Sequence, residues 1–151
     1  MEKTIKRHPA LKQFSRDHHF GLLLCWKIRE GFRRNVEPER MKKYTDWFFE
    51  SYQKPHFESE EKYMFSLLPD DDRQKKRAIA EHRRLERLFN DQEEVKRALS
   101  LIEEELDQHI RFEERILFAE IQKIATEEQL QKIEEVHQDP VLDDWGDEFW
   151  K

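Results

Sequence analysis

Apolar residues recur three or four positions apart over most of this chain, which is the spacing of amphipathic helices. Thr126 and Gln129 form a capping-box pattern that predicts a short fifth helix ending near His137. The long helices that precede it have short connections, and we expect an all-α, up-down-up-down four-helix bundle. Its helices are expected over residues 9–34, 38–68, from the acidic cap at 70–72 to residue 89, and 92–124.

Pro55 interrupts the apolar stripe of the second helix. Proline lacks a backbone N–H and its ring clashes with the preceding turn, so it distorts a helix interior. The sequence therefore predicts a kink or bulge immediately before His56.

The composition fits one helical domain. The chain has 151 residues, and its 11 Phe, 4 Trp and 3 Tyr supply bulky core side chains although 41% of all residues are charged. We expect a single domain over residues 1–151, with the bundle at about 9–124 and a helix and tail at about 125–151. The tail carries Trp145, Phe149 and Trp150, and the sequence leaves open whether it folds back or docks a protein partner.

The charge pattern and the single cysteine exclude several classes of protein. The net charge of −6 is spread along the chain and does not form the basic footprint of a nucleic-acid-binding protein. Apolar runs are too short for a membrane span, and none follows the basic start as in a secretion signal. Cys25 excludes an internal disulfide and a Cys-based metal cage, and we expect it to be a core residue of a cytoplasmic protein.

Three His-x-x-x-Glu pairs on three separate helices are candidate metal ligands. In a helix this spacing puts both side chains on one face, here the apolar face. An unpaired buried carboxylate is very costly, so the pairs indicate one inward-facing metal site. His18 faces the core from the first helix, with His19 as the alternative. The candidate ligands are His18 (or His19), His56, Glu60, His82, Glu86, His109 and Glu113.

The remaining residues near this face have weaker claims. Glu86 is the weakest ligand, because it lies at the edge of its stripe beside three arginines. Tyr52 and Tyr63 are candidate hydrogen-bond partners of the ligands, whereas His8 and His137 fall outside the helical stripes. The residues that point away from the ligand face, and that we expect to be solvated, are Glu61 and Glu114.

The donor types narrow the choice of metal. Imidazole and carboxylate together suit iron, manganese or zinc, without the thiolates that softer ions prefer. Seven ligands are too many for one tetrahedral zinc ion, which usually takes four. The set fits two ions that share bridging carboxylates.

Four segments contain the candidate ligands in chain order: SRDHH at 15–19, HFESEE at 56–61, AEH at 80–82 and HIRFEE at 109–114. As a set they resemble the segments of hemerythrin-like proteins with an HHE cation-binding domain, and the resemblance covers about residues 11–121. The resemblance implies two non-haem iron ions bridged by Glu60 and Glu113. It also implies that His82 and His109 complete the coordination of one iron, while His18 and His56 hold the other. The second iron would keep an open position for dioxygen or another small ligand.

One departure from the family bears on function. Oxygen-carrying hemerythrins have a fifth histidine at the position of Glu86, and their last ligand is an aspartate five residues after its histidine. Here Glu113 follows His109 by four. An anionic ligand at Glu86 would favour ferric iron, which weakens the case for oxygen carriage and leaves sensing of oxygen or nitric oxide, peroxide handling, or iron storage.

Three functions therefore compete. The leading hypothesis is a di-iron protein that binds or responds to dioxygen, nitric oxide, peroxide or iron itself, with manganese or zinc as substitutes. The second is a di-iron enzyme that consumes peroxide or oxygen. The third is a metal-free helical interaction module whose docking element is the tail.

Overall fold

The computed structural model describes residues 6–151, and within that range the chain is all-helical without a β-strand. Residues 1–5, the start of the segment in which we expect no secretion signal, lie outside the described range. No helix among the described residues is long and apolar enough to cross a membrane.

The helices follow one another with short connections. The second long helix is continuous, but it changes between α, π and 3-10 geometry four times. The fourth long helix contains one π-helical segment. In chain order the elements are α1 (Pro9–Arg33), α2 (Pro38–Phe48), a π segment (Phe49–Gln53), α3 (Lys54–Ser59), a π segment (Glu60–Met64), a 3-10 turn (Phe65–Leu67), α4 (Arg73–Phe89), α5 (Val95–Phe112), a π segment (Glu113–Leu117), α6 (Phe118–Ile124) and α7 (Glu127–Val136).

Side-chain caps fix several of these ends. The Asp72 carboxylate accepts a hydrogen bond from the N–H of Lys75 at 2.9 Å and starts α4, while the Thr126 capping box starts α7. Helix α5 begins at residue 95, whereas we expected a start near 92. Asp91 Oδ1 accepts hydrogen bonds from the N–H groups of Glu93 and Glu94, both at 2.9 Å, and this turn delays the helix.

The core consists of two apolar clusters with a polar layer between them. Helix α5 packs against α1, α2 and α4, and α7 packs along α1. The first cluster includes Leu24, Phe48 and Phe89, and the second includes Leu11, Met64 and Phe118. The first long helix runs from the second cluster to the first, the next runs back, and this alternation continues through the third and fourth. Each long helix therefore crosses the polar layer once.

The π segments change which residues face the core. An uninterrupted α-helix from His109 would bring Ile116 to the core, seven residues on. Ile116 is instead 39% exposed, and Leu117 is fully buried. A π turn holds more residues than an α turn, which moves the buried position from seven residues to eight. The same shift follows His56, where Met64 is fully buried and Tyr63 only partly.

The tail folds back onto the helices. Phe149 is 2% exposed and belongs to the first apolar cluster, and Arg40 forms an ion pair with Asp147. Lys27 Nζ lies 3.9 Å from the centroid of the Trp150 ring. The close approach of Phe149 to helix α1 depends on Gly31, because a Cβ atom there would lie 2.2 Å from Met41 Sδ and 3.1 Å from the Phe149 ring.

Candidate metal centre

Six of the seven candidate ligands meet in one buried cluster between the two apolar cores. They form two groups that share Glu60. Within each group, the potential ligand atoms all lie within 4.8 Å of one another. None of the six residues is more than 6% exposed. The first group contains His18, His56 and Glu60, and the second contains Glu60, His82, His109 and Glu113.

The two glutamates each present one oxygen to each pair of histidines. Glu60 Oε2 lies 3.4 Å from His18 Nε2 and 3.3 Å from His56 Nε2, and Oε1 lies 3.3 Å from His82 Nε2. Glu113 is oriented in the same way. Its Oε2 lies 3.9 Å from His18 Nε2, while its Oε1 lies 3.7 Å from His82 Nε2 and in close contact with His109 Nε2. Both carboxylates can therefore bridge two positions.

All the atoms that face the middle of the cluster lack hydrogen-bond partners among the described residues. They are the Nε2 atoms of the four histidines and both carboxylate oxygens of Glu60 and Glu113. A buried polar atom without a partner is costly, and native structures leave few of them. A convergent set of imidazole nitrogens and carboxylate oxygens is a donor set that fits a metal ion.

The outer nitrogen of each imidazole has a partner. His18 Nδ1 lies 2.5 Å from Glu114, His82 Nδ1 2.8 Å from Glu61, and His109 Nδ1 2.7 Å from Glu81. An ionised carboxylate only accepts, so each of these Nδ1 atoms carries a proton. Loss of the other ring proton then directs the Nε2 lone pair into the cluster, the arrangement found in metal-binding histidines.

His56 is oriented by a tyrosine instead of a carboxylate. Tyr52 donates its hydroxyl hydrogen to the backbone oxygen of Asp17 at 2.5 Å, so its oxygen can accept from His56 Nδ1 at 3.4 Å. Other rings hold two of the imidazoles: His82 stacks on Phe57 at a centroid distance of 3.8 Å, and His18 stacks on Phe118 at 5.4 Å.

The outer carboxylates correct our expectation that Glu61 and Glu114 are solvated. Their side chains are only 21% and 30% exposed, and each contacts a histidine of another helix. A helical wheel gives the direction of a side chain from its own axis and not the position of a neighbouring ring, so this contact was missed. The signal in the sequence was the Glu–Glu doublet, whose second member follows the inward glutamate. Glu81 was also missed, although it directly precedes His82.

Each outer carboxylate is held in turn by a second donor. Ser15 donates to Glu114 at 2.8 Å, Arg77 donates to Glu81 at 3.0 Å, and Arg83 donates to Glu61 at 3.1 Å. Burial alone would raise the pKa of Glu61, Glu81 and Glu114, but the histidines and these donors lower it. The three glutamates therefore remain ionised acceptors.

Two residues of the cluster, His18 and Glu60, have strongly shifted pKa values. Burial lowers the pKa of the His18 ring, but the hydrogen bond to Glu114 and the nearby negative charge of Glu60 outweigh burial and raise that pKa to about 10. For Glu60, burial would raise the pKa, but the charge of His56 and the nearby His18 ring hold it well below its usual range. A bound cation would therefore compete with protons for these side chains.

Both inward glutamates stand at the start of a π segment. Glu60 begins Glu60–Met64 and Glu113 begins Glu113–Leu117, while the π segment Phe49–Gln53 ends shortly before His56. The last of these agrees with the bulge predicted from Pro55. Single π turns are frequent at functional sites, where the wider turn re-aims a side chain.

The structure does not bring Glu86 into the cluster. Its carboxylate accepts from Arg83 at 2.8 Å on the half-exposed outer face of α4. His19 is exposed, so His18 is the histidine of the doublet that joins the cluster. Tyr52 contacts His56, as described, whereas Tyr63 is half-buried on the wall of a cavity.

Two histidines without an expected role also have specific contacts. His8 caps α1, since its Nδ1 accepts from the N–H of Ala10 at 3.0 Å. His137 Nε2 lies 2.7 Å from Asp17 Oδ2, next to His18, and its side chain is 4% exposed. No periodic signal marks His137, because it follows the end of α7.

Comparison with protein-family models, with curated proteins and with solved structures finds no match to this chain.

Proposed function

We propose that this chain is a non-haem di-iron protein that binds or responds to a small ligand such as dioxygen, nitric oxide or peroxide, or to iron itself. The observation that carries the proposal is the division of the two carboxylates, with one oxygen of Glu60 and of Glu113 facing each histidine pair. Bridging carboxylates are the device by which one buried cluster holds two cations.

The number of ions follows from the number of donors. Each half has two imidazole nitrogens and two carboxylate oxygens, and all eight atoms lack protein partners within the described residues. One ion in either half would leave the histidines of the other half unpaired. Two ions satisfy both halves and offset the two buried negative charges.

Iron is favoured by the ligand set and by the resemblance to hemerythrin-like proteins. His18, His56 and Glu60 are the two histidines and one carboxylate that non-haem iron sites use while keeping positions open. Glu86 lies outside the cluster, so it supplies no anionic ligand that would stabilise ferric iron. Bound iron would supply redox chemistry and open coordination positions, and this chain's residues would hold it and exclude bulk water.

The fold of the proposed protein is an up-down-up-down four-helix bundle. The alternating passage of the four long helices between the two apolar clusters supports this topology. In such bundles, inward side chains on facing helices build a metal site at mid-height, which is where the polar layer lies.

The test is the iron content and visible spectrum of protein reconstituted with ferrous iron without air. We expect about two irons per chain, as for two carboxylate-bridged positions. His18→Ala should lose at least half of the bound iron. The matched control is His19→Ala, which removes the exposed neighbour and should retain all of it.

Two outcomes would overturn the proposal. Wild-type protein that binds no iron under these conditions would refute a di-iron centre. Equal iron content in the His18→Ala and His19→Ala variants would place any bound iron elsewhere.

A further inference from the structure

A cavity of about 500 Å³ opens beside the His18/His56 half of the cluster. Of the six clustered residues, only His56 lines it. Another part of its wall consists of Val136, the last residue of α7, and of residues 137–141, which follow it. The cavity therefore lies between the candidate metal centre and a stretch of chain without regular structure.

A line of contacts connects that segment to His56. His137 Nε2 lies 2.7 Å from Asp17 Oδ2, the Asp17 backbone oxygen accepts from Tyr52 at 2.5 Å, and Tyr52 lies 3.4 Å from His56 Nδ1. Asp17, Tyr52, His56 and His137 all line the cavity. A molecule in the cavity would touch the partner that orients His56.

The cavity is much larger than a diatomic gas needs. A water molecule takes about 30 Å³ in the liquid, whereas small-molecule sites measure about 300–1,000 Å³. A volume of about 500 Å³ thus fits an organic molecule. Its walls include the aromatic side chains of Phe14, Tyr52 and Tyr63, which favour an aromatic ligand, and the serines Ser51 and Ser59.

The charges on the walls select against anions. Among the described residues that line the cavity, two are aspartates and none is lysine or arginine. Asp17 is paired with His137, while the Asp139 side chain is 89% exposed and lies 3.8 Å from His137 Nδ1. Carboxylates beside aromatic faces attract cations and repel carboxylate ligands.

We propose that this cavity is a binding site for a small organic molecule with an aromatic body and without negative charge. Binding there is coupled to the metal centre through Tyr52 and His56. The coupling rests on the proposed di-iron function, whereas the docking itself does not.

The docking is tested by calorimetry with three para-substituted phenols of similar size and different charge. Tyramine is a cation, 4-ethylphenol is neutral and 4-hydroxyphenylacetate is an anion. We expect tyramine and 4-ethylphenol to bind the full chain about tenfold or more tightly than the anion, which corresponds to about 1.4 kcal/mol. Absence of binding by tyramine and 4-ethylphenol, or tightest binding by the anion, would overturn the proposal.

Variants locate the site. Ser59→Trp places a large ring in the cavity and should abolish tyramine binding, and Ser51→Trp is a second such variant farther from Glu60. Ser66→Trp is the control, since Ser66 is exposed and does not line the cavity. Asp139→Lys, at an exposed side chain, should reverse the preference from tyramine to 4-hydroxyphenylacetate. Equal tyramine affinity in all three tryptophan variants would place the bound molecule elsewhere.

The coupling is tested on iron-loaded protein. Tyramine should change the visible spectrum of the wild type, and Tyr52→Phe, compared at saturating tyramine, should give a smaller spectral change, since the hydroxyl contact to His56 is lost. An unchanged wild-type spectrum would overturn the coupling. Tyramine binding by a chain that takes up no iron would refute the di-iron function alone, whereas iron uptake without tyramine binding would refute the cavity site alone.

Discussion

His109 Nδ1 lies 2.7 Å from Glu81 Oε1, although the two residues are 28 positions apart and on different helices. The contact fixes the ring so that Nε2 points at Glu113, and Arg77 holds the carboxylate in place. Three of the four clustered histidines have a glutamate in this role. The candidate centre thus consists of six inner ligand residues and of three outer carboxylates that orient three of the histidines.

Glu81→Ala should lower iron affinity by about 10- to 100-fold, because loss of the partner frees the His109 ring to rotate and removes its acceptor. Glu81→Gln keeps an amide oxygen as acceptor and should lie between the wild type and the alanine variant. Titration against a competing chelator measures these affinities. The control is Glu105→Ala, which breaks only the exposed pair with Arg84. An unchanged affinity in Glu81→Ala would show that the contact does not support the centre.

Removal of metal should destabilise the protein. A ligand that binds only the folded state at about 1,000 times its Kd adds about 4 kcal/mol, which for a chain of this size is roughly 8–16 °C in Tm. Differential scanning calorimetry of iron-loaded and chelator-treated protein measures this change. Identical Tm values would favour the metal-free interaction module.

Leu117→Ala should destabilise the fold by about 2–5 kcal/mol, because it removes a fully buried side chain. Ile116→Ala, at a position 39% exposed, should cost about 1 kcal/mol or less. Urea unfolding measures both. The opposite order would indicate that an uninterrupted α-helix continues past His109.

Cys25 should resist alkylation in the folded protein. Burial, reinforced by Asp107, raises the pKa of this thiol from 9.0 to about 12, and only the thiolate reacts. Iodoacetamide at pH 8 should therefore modify the unfolded chain much faster than the folded one. Rapid modification of the folded protein would contradict the burial of this residue.

The same pKa shift makes a prediction about stability and pH. Above about pH 9 the unfolded chain loses the thiol proton while the folded chain keeps it, so stability from this group falls as pH rises toward 12. Cys25→Ala should have a smaller loss of unfolding free energy between pH 8 and pH 10 than the wild type.

Phe149→Ala should cost about 3–5 kcal/mol, because the ring is 2% exposed among core residues. Val141→Ala is the control within the same tail, since Val141 is 89% exposed. Thermal unfolding measures both variants. A tail that is held free for a partner would give no loss for Phe149→Ala.

The sequence was sufficient for the features that depend on helical periodicity. The helices lie where the apolar stripes predict them, and six candidate ligands meet because each lies on its stripe. That these six residues bind metal stays a prediction. The features that were missed depend on neighbours. Glu61, Glu81 and Glu114 reach rings on other helices, and a period of 3.6 residues carries no information about such contacts.

The register after the inward glutamates cannot be predicted from the sequence for a different reason. A constant helical period places Ile116 in the core, but a π turn changes the period for a single turn. Ile116 and Leu117 are neighbouring apolar residues, so composition could not decide which of them is buried. The clue was local, since two of the three π segments, Glu60–Met64 and Glu113–Leu117, begin at a glutamate that follows a histidine by four positions.

The distribution of the clustered residues along the chain also orders their synthesis. His18, His56 and Glu60 are all present once the second long helix has been synthesised, whereas the other group needs every residue up to Glu113. Because Glu113 Oε2 also faces His18, the His18/His56 half has three of its four donors before either histidine of the other half exists. A nascent chain therefore completes neither half of the cluster until Glu113 has been added.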